Sequence, residues 1–147
     1  MKKRTTLKLI ILAAAVLFTL NLHAQTPTNW TEKQLIEPSE LASIITSNPD
    51  SVIIISVGPF NTIPGGIHTG MAGDKEGIEK FKTQLSTIDK NSKIVIYCGC
   101  CPFEHCPNVR PALDALKEMN FTNYYLLDLP ENIKINWIDE GYPVVQQ

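Results

Sequence analysis

Hydrophobic and polar positions fall into short blocks along this chain. Val52-Ile53-Ile54-Ile55-Ser56-Val57 is a continuous, largely β-branched run, and Lys93-Ile94-Val95-Ile96-Tyr97 is a second. Runs of this kind predict strands buried on both faces. Between them Ile78, Phe81, Leu85 and Ile88 recur at helical spacing. Upstream, Pro38-Ser39-Glu40 leads into Leu41, Ile44 and Ile45, a helix start that Asn48-Pro49-Asp50 ends. Gly58, Pro59, Pro64, Gly65, Gly66, Gly70 and Gly73 predict one long loop.

After the second strand comes a cysteine-rich loop, and then a helix with the apolar stripe Leu113, Leu116 and Met119. Asn108 is placed to cap that helix, with Pro111 tolerated in the first turn, where backbone donors are unpaired anyway. Tyr124 to Leu129 predicts a third strand, and Ile133 to Ile138 a last helix that Gly141-Tyr142-Pro143 ends. Tyr97 is expected to carry its hydroxyl at a surface, and Trp137 to pack in the core. Strands alternating with helices predict an α/β fold, a parallel sheet flanked by helices on both faces. The sequence holds no internal repeat and no low-complexity segment.

The N-terminus stands apart. Lys2, Lys3, Arg4 and Lys8 precede an almost wholly apolar stretch from Leu9 to Leu20, and Leu22-His23-Ala24 ends in a small residue. This is the pattern of a secretory signal peptide over residues 1–24, cleaved before Gln25. The apolar run is shorter than the roughly 20 residues a spanning helix needs, so no stable membrane insertion is expected after cleavage. Residues 25–34, polar and aperiodic, read as a flexible lead-in to one domain over residues 35–147. A periplasmic or secreted location follows, where disulfides can form and persist.

Composition adds exclusions. The 147 residues are 44% hydrophobic and 19% charged, a globular balance. The first 24 residues hold four of the 13 basic residues and no acidic one, leaving 9 basic against 15 acidic beyond them, a net charge of −6. An acidic chain is no natural partner for nucleic acid or anionic lipid.

All four cysteines lie in Cys98-Gly99-Cys100-Cys101-Pro102-Phe103-Glu104-His105-Cys106. A structural disulfide joins distant segments. A bridge across this loop would contribute only about 2.5 kcal/mol in the loop-entropy model and pin nothing outside it. The cluster begins at the carboxyl end of a predicted parallel strand, the edge where reactive groups collect in open α/β sheets. The amino terminus of a helix follows, which favours an anion. A cysteine there is shifted from pKa ~8.5 toward thiolate.

Several of these segments resemble the rhodanese family of single-domain sulfurtransferases. Ile94-Val95-Ile96-Tyr97-Cys98 is similar to that family's strand ending in Tyr-Cys. Leu113 to Phe121 resembles the helix that follows, running into Asn-Phe where Gly-Phe is usual. Trp137 followed by Gly141-Tyr142-Pro143-Val144 is similar to the closing signature, and Gly65-Gly66-Ile67-His68 resembles the Gly-His-Ile-Pro-Gly-Ala segment. The likeness spans roughly residues 35–145.

The departures are specific. Ser56-Val57-Gly58 stands where Asp-Val-Arg is usual, and the loop after Cys98 is about five residues longer, judged by counting back from Phe121. The customary arginine near the cysteine is absent, Arg110 lying twelve residues on. Leu129-Pro130-Glu131-Asn132 replaces a Gly-Gly. The related phosphatases carry a C-x5-R loop, and no cysteine here has an arginine at that spacing.

The resemblance implies sulfane-sulfur transfer, with Cys98 as nucleophile attacking the outer sulfur of thiosulfate or a persulfide. The persulfide would be held by the loop, with Gly99, Cys100, His105 and Arg110 as the residues expected to bind substrate. A small thiol acceptor would then remove the sulfur. No metal or organic cofactor is needed. The spacing also suggests Cys101 or Cys106 as resolving thiols that attack the persulfide and leave a disulfide.

Three alternatives stand beside this. A thiol–disulfide redox protein would use the C-x-x-C pair Cys98 and Cys101. A metal-binding module would use the thiols with His105. A non-catalytic domain would explain the altered Asp-Val-Arg segment.

Overall fold

The computed structural model describes residues 29–146; the signal-peptide reading falls outside them. Five parallel strands form one sheet: β1 (Leu35–Ile36), β2 (Ile53–Ser56), β3 (Ile67–His68), β4 (Ile94–Tyr97) and β5 (Tyr124–Leu127). Their order is β1-β5-β4-β2-β3. The central strand β4 pairs Ile94 with Ile53 on one side and with Tyr124 on the other. All four of its residues are buried, which is why its sequence is a continuous apolar run.

Helices cover both faces, as the alternation of elements predicts. α1 (Pro38–Ser47) and a five-residue π-helical turn, Lys134–Ile138, cover one face. There Leu41 and Trp137 pack with Ile54, Val95, Tyr97 and Leu127. α2 (Lys75–Ser86) and α3 (Val109–Glu118) cover the other face, where Phe81, Leu85, Leu113 and Leu116 meet Ile55, Ile94 and Ile96. Residues 94 to 97 thus alternate between the two cores, as a pleated strand requires. α3 buries Val109, Ala112, Leu113 and Leu116, the i, i+3, i+4, i+7 stripe of an amphipathic helix.

Several local expectations are corrected. The glycine-rich loop after β2 contains β3, whose Ile67 and His68 pair with Ile55 and Ser56. Two residues leave no periodic signal; β3 forms because the backbone edge of β2 is there to pair with. The Tyr97 hydroxyl is not at a surface. Tyr97 is fully buried, and its hydroxyl accepts hydrogen bonds from the backbone of Thr62 (2.9 Å) and Ile63 (3.3 Å). It fastens the β2–β3 loop to the end of β4. The last helix is the π-helical turn, which puts Trp137 in the core with its indole N–H donating to the Pro143 carbonyl at 2.7 Å.

Asn29 and Trp30, within the expected lead-in, contact the domain. The Trp30 ring meets Phe103 edge-on at 5.5 Å, and Asn29 donates to the Arg110 carbonyl at 3.1 Å. Among the described residues, no helix is long and apolar enough to cross a membrane.

Candidate active site

Cys98 follows the last residue of β4 and is 3% exposed. Two glycines make its surroundings. The backbone at Gly58, just after β2, runs directly beneath it: a Cβ there would collide with the Cys98 carbonyl oxygen and lie 2.6 Å from its Sγ. Only glycine leaves room for that sulfur, at the position where the family pattern has arginine. Gly99 has φ +84°, a left-handed conformation that other residues adopt at a cost. It reverses the chain so that Cys100 folds back over Cys98. Its carbonyl accepts from Ile133 N–H at 3.0 Å, and an added Cβ would lie 2.8 Å from the Ile133 Cβ.

The sulfurs converge. Cys98 Sγ lies 3.2 Å from Cys100 Sγ, and Cys100 Sγ lies 3.3 Å from Cys101 Sγ. The sulfurs of Cys98, Cys100 and Cys106 all lie within 4.8 Å of one another. All four cysteines are free; Cys98 and Cys106 are buried, Cys101 is intermediate and Cys100 is exposed. The C-x-x-C partner Cys101 therefore contacts Cys100, while Cys100 is the thiol against Cys98.

Asn108 is the residue that sequence reasoning misplaced. It makes no side-chain cap on α3. Its Nδ2 donates to Cys98 Sγ at 3.2 Å, and its Oδ1 accepts from the Gly73 N–H at 2.8 Å. With φ −88° and ψ −26° it is already helical, unlike the extended backbone of a capping residue. Its position at the head of α3, opposite the strand end, was the signal available in the sequence.

These contacts favour ionisation at Cys98 over Cys100 and Cys106. Hydrogen bonding from Cys106 is the largest influence and holds the Cys98 thiol down to about 5 against the opposing effect of burial, helped by the Cys100 backbone N–H, the Asn108 side chain and the Cys100 thiol. Cys100 is pushed up to about 12, first by partial desolvation, then by hydrogen bonding and charge from Cys98 and Cys101. Cys106 is pushed up as well, because its bond to Cys98 favours its protonated form and burial adds to this. Closely packed thiols cannot all carry charge. The arrangement favours a thiolate at Cys98 beside two thiols, Cys100 and Cys106, that hold their protons more tightly.

The long loop is held by its own core contacts. Phe103 is buried, and its N–H donates to the Leu129 carbonyl at 3.2 Å. The turn Phe103–His105 leaves His105 exposed. The Arg110 guanidinium donates to the Glu104 carbonyl at 2.9 Å and lies over the Trp30 ring at 5.2 Å. It braces the far side of the loop, and the donors on Cys98 are Asn108 and the loop itself.

On the β2 side, Ser56 replaces the customary acid and its hydroxyl donates to the Phe60 carbonyl. His68 Nε2 lies 2.9 Å from the Gly58 carbonyl oxygen. Beside Gly58 and Gly99 runs an open groove of about 830 Å³, lined by Pro59, Phe60, His68, Ile133, Ile138 and Val144 among others.

A five-stranded parallel sheet with a cysteine at the carboxyl end of its central strand, ahead of a helix, is the rhodanese-like fold. Solved structures share it. The rhodanese-like domain of an Anabaena protein is 16% identical, with a TM-score of 0.55, over 78% of this chain and 80% of that one. A single-domain sulfurtransferase of Saccharomyces cerevisiae is 13% identical, with a TM-score of 0.53, over 78% and 95%. A full-length protein from Lactobacillus plantarum is 13% identical, with a TM-score of 0.55, over 78% and 89%. No protein-family model matches the sequence, and no curated protein matches it.

Proposed function

We propose that this chain is a sulfurtransferase that moves sulfane sulfur from thiosulfate or a persulfide to a thiol acceptor through a persulfide on Cys98. The observation that carries this reading is the single activated sulfur: Cys98 Sγ at the end of β4, receiving the Asn108 amide at 3.2 Å and held down to about 5 chiefly by Cys106. A thiolate so placed attacks the outer sulfur of thiosulfate. The S–S bond of thiosulfate breaks, sulfite leaves with the electron pair, and Cys98 retains the sulfur as a persulfide anion. The Cys100 backbone N–H and the Asn108 side chain supply the donors that such an anion needs.

The basic start and apolar stretch of residues 1–24 support export, so the donor and acceptor would be met in the periplasm or outside the cell. The chemistry asks for no cofactor.

The test is a single turnover of reduced protein with thiosulfate. The wild-type chain should release sulfite in proportion to its concentration, and Cys98→Ser should release none. No sulfite from the wild-type chain overturns the reading. Undiminished sulfite from Cys98→Ser overturns Cys98 as nucleophile.

A further inference from the structure

Resting on that transfer reading, we propose that Cys100 resolves the Cys98 persulfide within the same chain, releasing the sulfur as hydrogen sulfide and leaving a Cys98–Cys100 disulfide. The juxtaposition is specific. Gly99, at φ +84° and packed on Ile133, turns the chain so that two cysteines one residue apart meet at 3.2 Å. Cys101 does not take this position, since its sulfur contacts Cys100. Cys106 is fully buried, its sulfur within 4.8 Å of the Cys98 sulfur. Cys100 alone of the neighbours both touches Cys98 and reaches solvent.

The step balances without another reactant. The Cys100 sulfur attacks Cys98 Sγ, and the bond between Cys98 Sγ and the borrowed sulfur breaks. That sulfur departs with the electron pair and the Cys100 proton, as HS⁻. The sulfane sulfur is reduced by two electrons, and the two cysteine sulfurs are oxidised to the disulfide. The half-exposed disulfide is then open to an external dithiol, which returns both cysteines to thiols for the next cycle. Cys100 need not be ionised at rest, because the anionic outer sulfur of the persulfide takes its proton as the thiolate attacks Cys98 Sγ, and leaves with that proton as HS⁻. Thiosulfate is thereby turned to sulfite and sulfide, with a dithiol as the electron donor, in place of handing the sulfur intact to an acceptor.

The experiment treats fully reduced protein with thiosulfate in the absence of any other thiol, and measures sulfite, sulfide and intact mass together. The wild-type chain should release sulfite and sulfide in equal amounts, and peptide mapping should find Cys98 joined to Cys100. Cys100→Ser, whatever its rate, should still release sulfite, release no sulfide, and retain one added sulfur of about 32 Da. Sulfite without sulfide from the wild-type chain overturns internal resolution and leaves the transfer reading standing. Sulfide released equally by Cys100→Ser, or a disulfide mapped to Cys98 and Cys106, overturns the assignment to Cys100. Absence of sulfite from both proteins overturns the transfer reading, and this proposal with it.

Discussion

Replacing Gly58 with alanine adds one methyl group at the most crowded point of the site. Its carbon would lie 2.6 Å from Cys98 Sγ and closer still to the Cys98 carbonyl oxygen. The sulfur can rotate away, but the carbonyl is backbone at the end of a strand that β2 and β5 hold on both sides. The Val57 N–H also donates to the Tyr97 carbonyl at 2.9 Å, one residue before the collision. Relief therefore has to come from moving the strand end, and overpacking of this kind costs about 1–3 kcal/mol. The same movement draws the sulfur from the Asn108 side chain and the Cys100 N–H, two of the donors that stabilise its anion. The Cys98 thiol should rise from about 5 toward the ordinary value of about 8.5. Thermal unfolding reads the first effect. Thiolate ultraviolet absorbance against pH reads the second, with sulfite release slowed in parallel at neutral pH. A Gly58→Ala chain with unchanged melting and an unchanged thiolate titration would refute the claim that this glycine makes room for the active sulfur.

Other expectations follow from neighbouring contacts. Asn108→Asp keeps an acceptor for Gly73 N–H but sets a carboxylate beside the thiolate. Losing one hydrogen bond to a charged group, worth about 1.5–3 kcal/mol, should raise the Cys98 thiol by one to two units; an unmoved titration would exclude Asn108 as a donor. Because the Cys98 thiol is held low, its folded-state ionisation precedes that of the unfolded chain as pH rises. Its contribution to stability is therefore full above about 8.5, shrinks as pH falls below that value, and is gone once pH has fallen through about 5. Sulfite release, which follows the thiolate of the folded chain, should fall as pH drops through about 5, and a profile that instead rises through pH ~8.5 would contradict the low value. Tyr97→Phe leaves the amides of Thr62 and Ile63 without their acceptor. It should cost about 1–3 kcal/mol, measured by denaturant unfolding, with a loss below half of that arguing against the buried hydroxyl.

Much of the fold is legible in the sequence because its signals are local. β2 and β4 are apolar runs because both their faces are covered, and α3 shows its stripe because one side of it is buried. The position of Cys98 at the end of β4 follows from the strand alone. What the sequence hides depends on contacts between distant segments. β3 is two residues long and exists through pairing with β2. The Tyr97 hydroxyl is buried because the loop at residues 61–63 brings it backbone donors. The side chain of Asn108 turns toward Cys98 and Gly73, a direction that no spacing rule encodes. The choice between Cys100 and Cys101 as the neighbour of Cys98 rests on one backbone angle at Gly99. Spacing suggests the C-x-x-C pair, and the left-handed turn selects the nearer cysteine. The serine and glycine that break the Asp-Val-Arg pattern have physical roles of their own: Ser56 ties down the loop at Phe60, and Gly58 makes way for the sulfur.

The central claim is that Cys98 accepts a sulfur atom, and the mass of the Cys100→Ser chain after thiosulfate tests it most directly, since that chain should hold whatever Cys98 takes up. The account predicts a gain of about 32 Da, located on the peptide that carries Cys98 and removed by a reducing thiol. A chain that gains no mass, or that carries the sulfur on another residue, would contradict it.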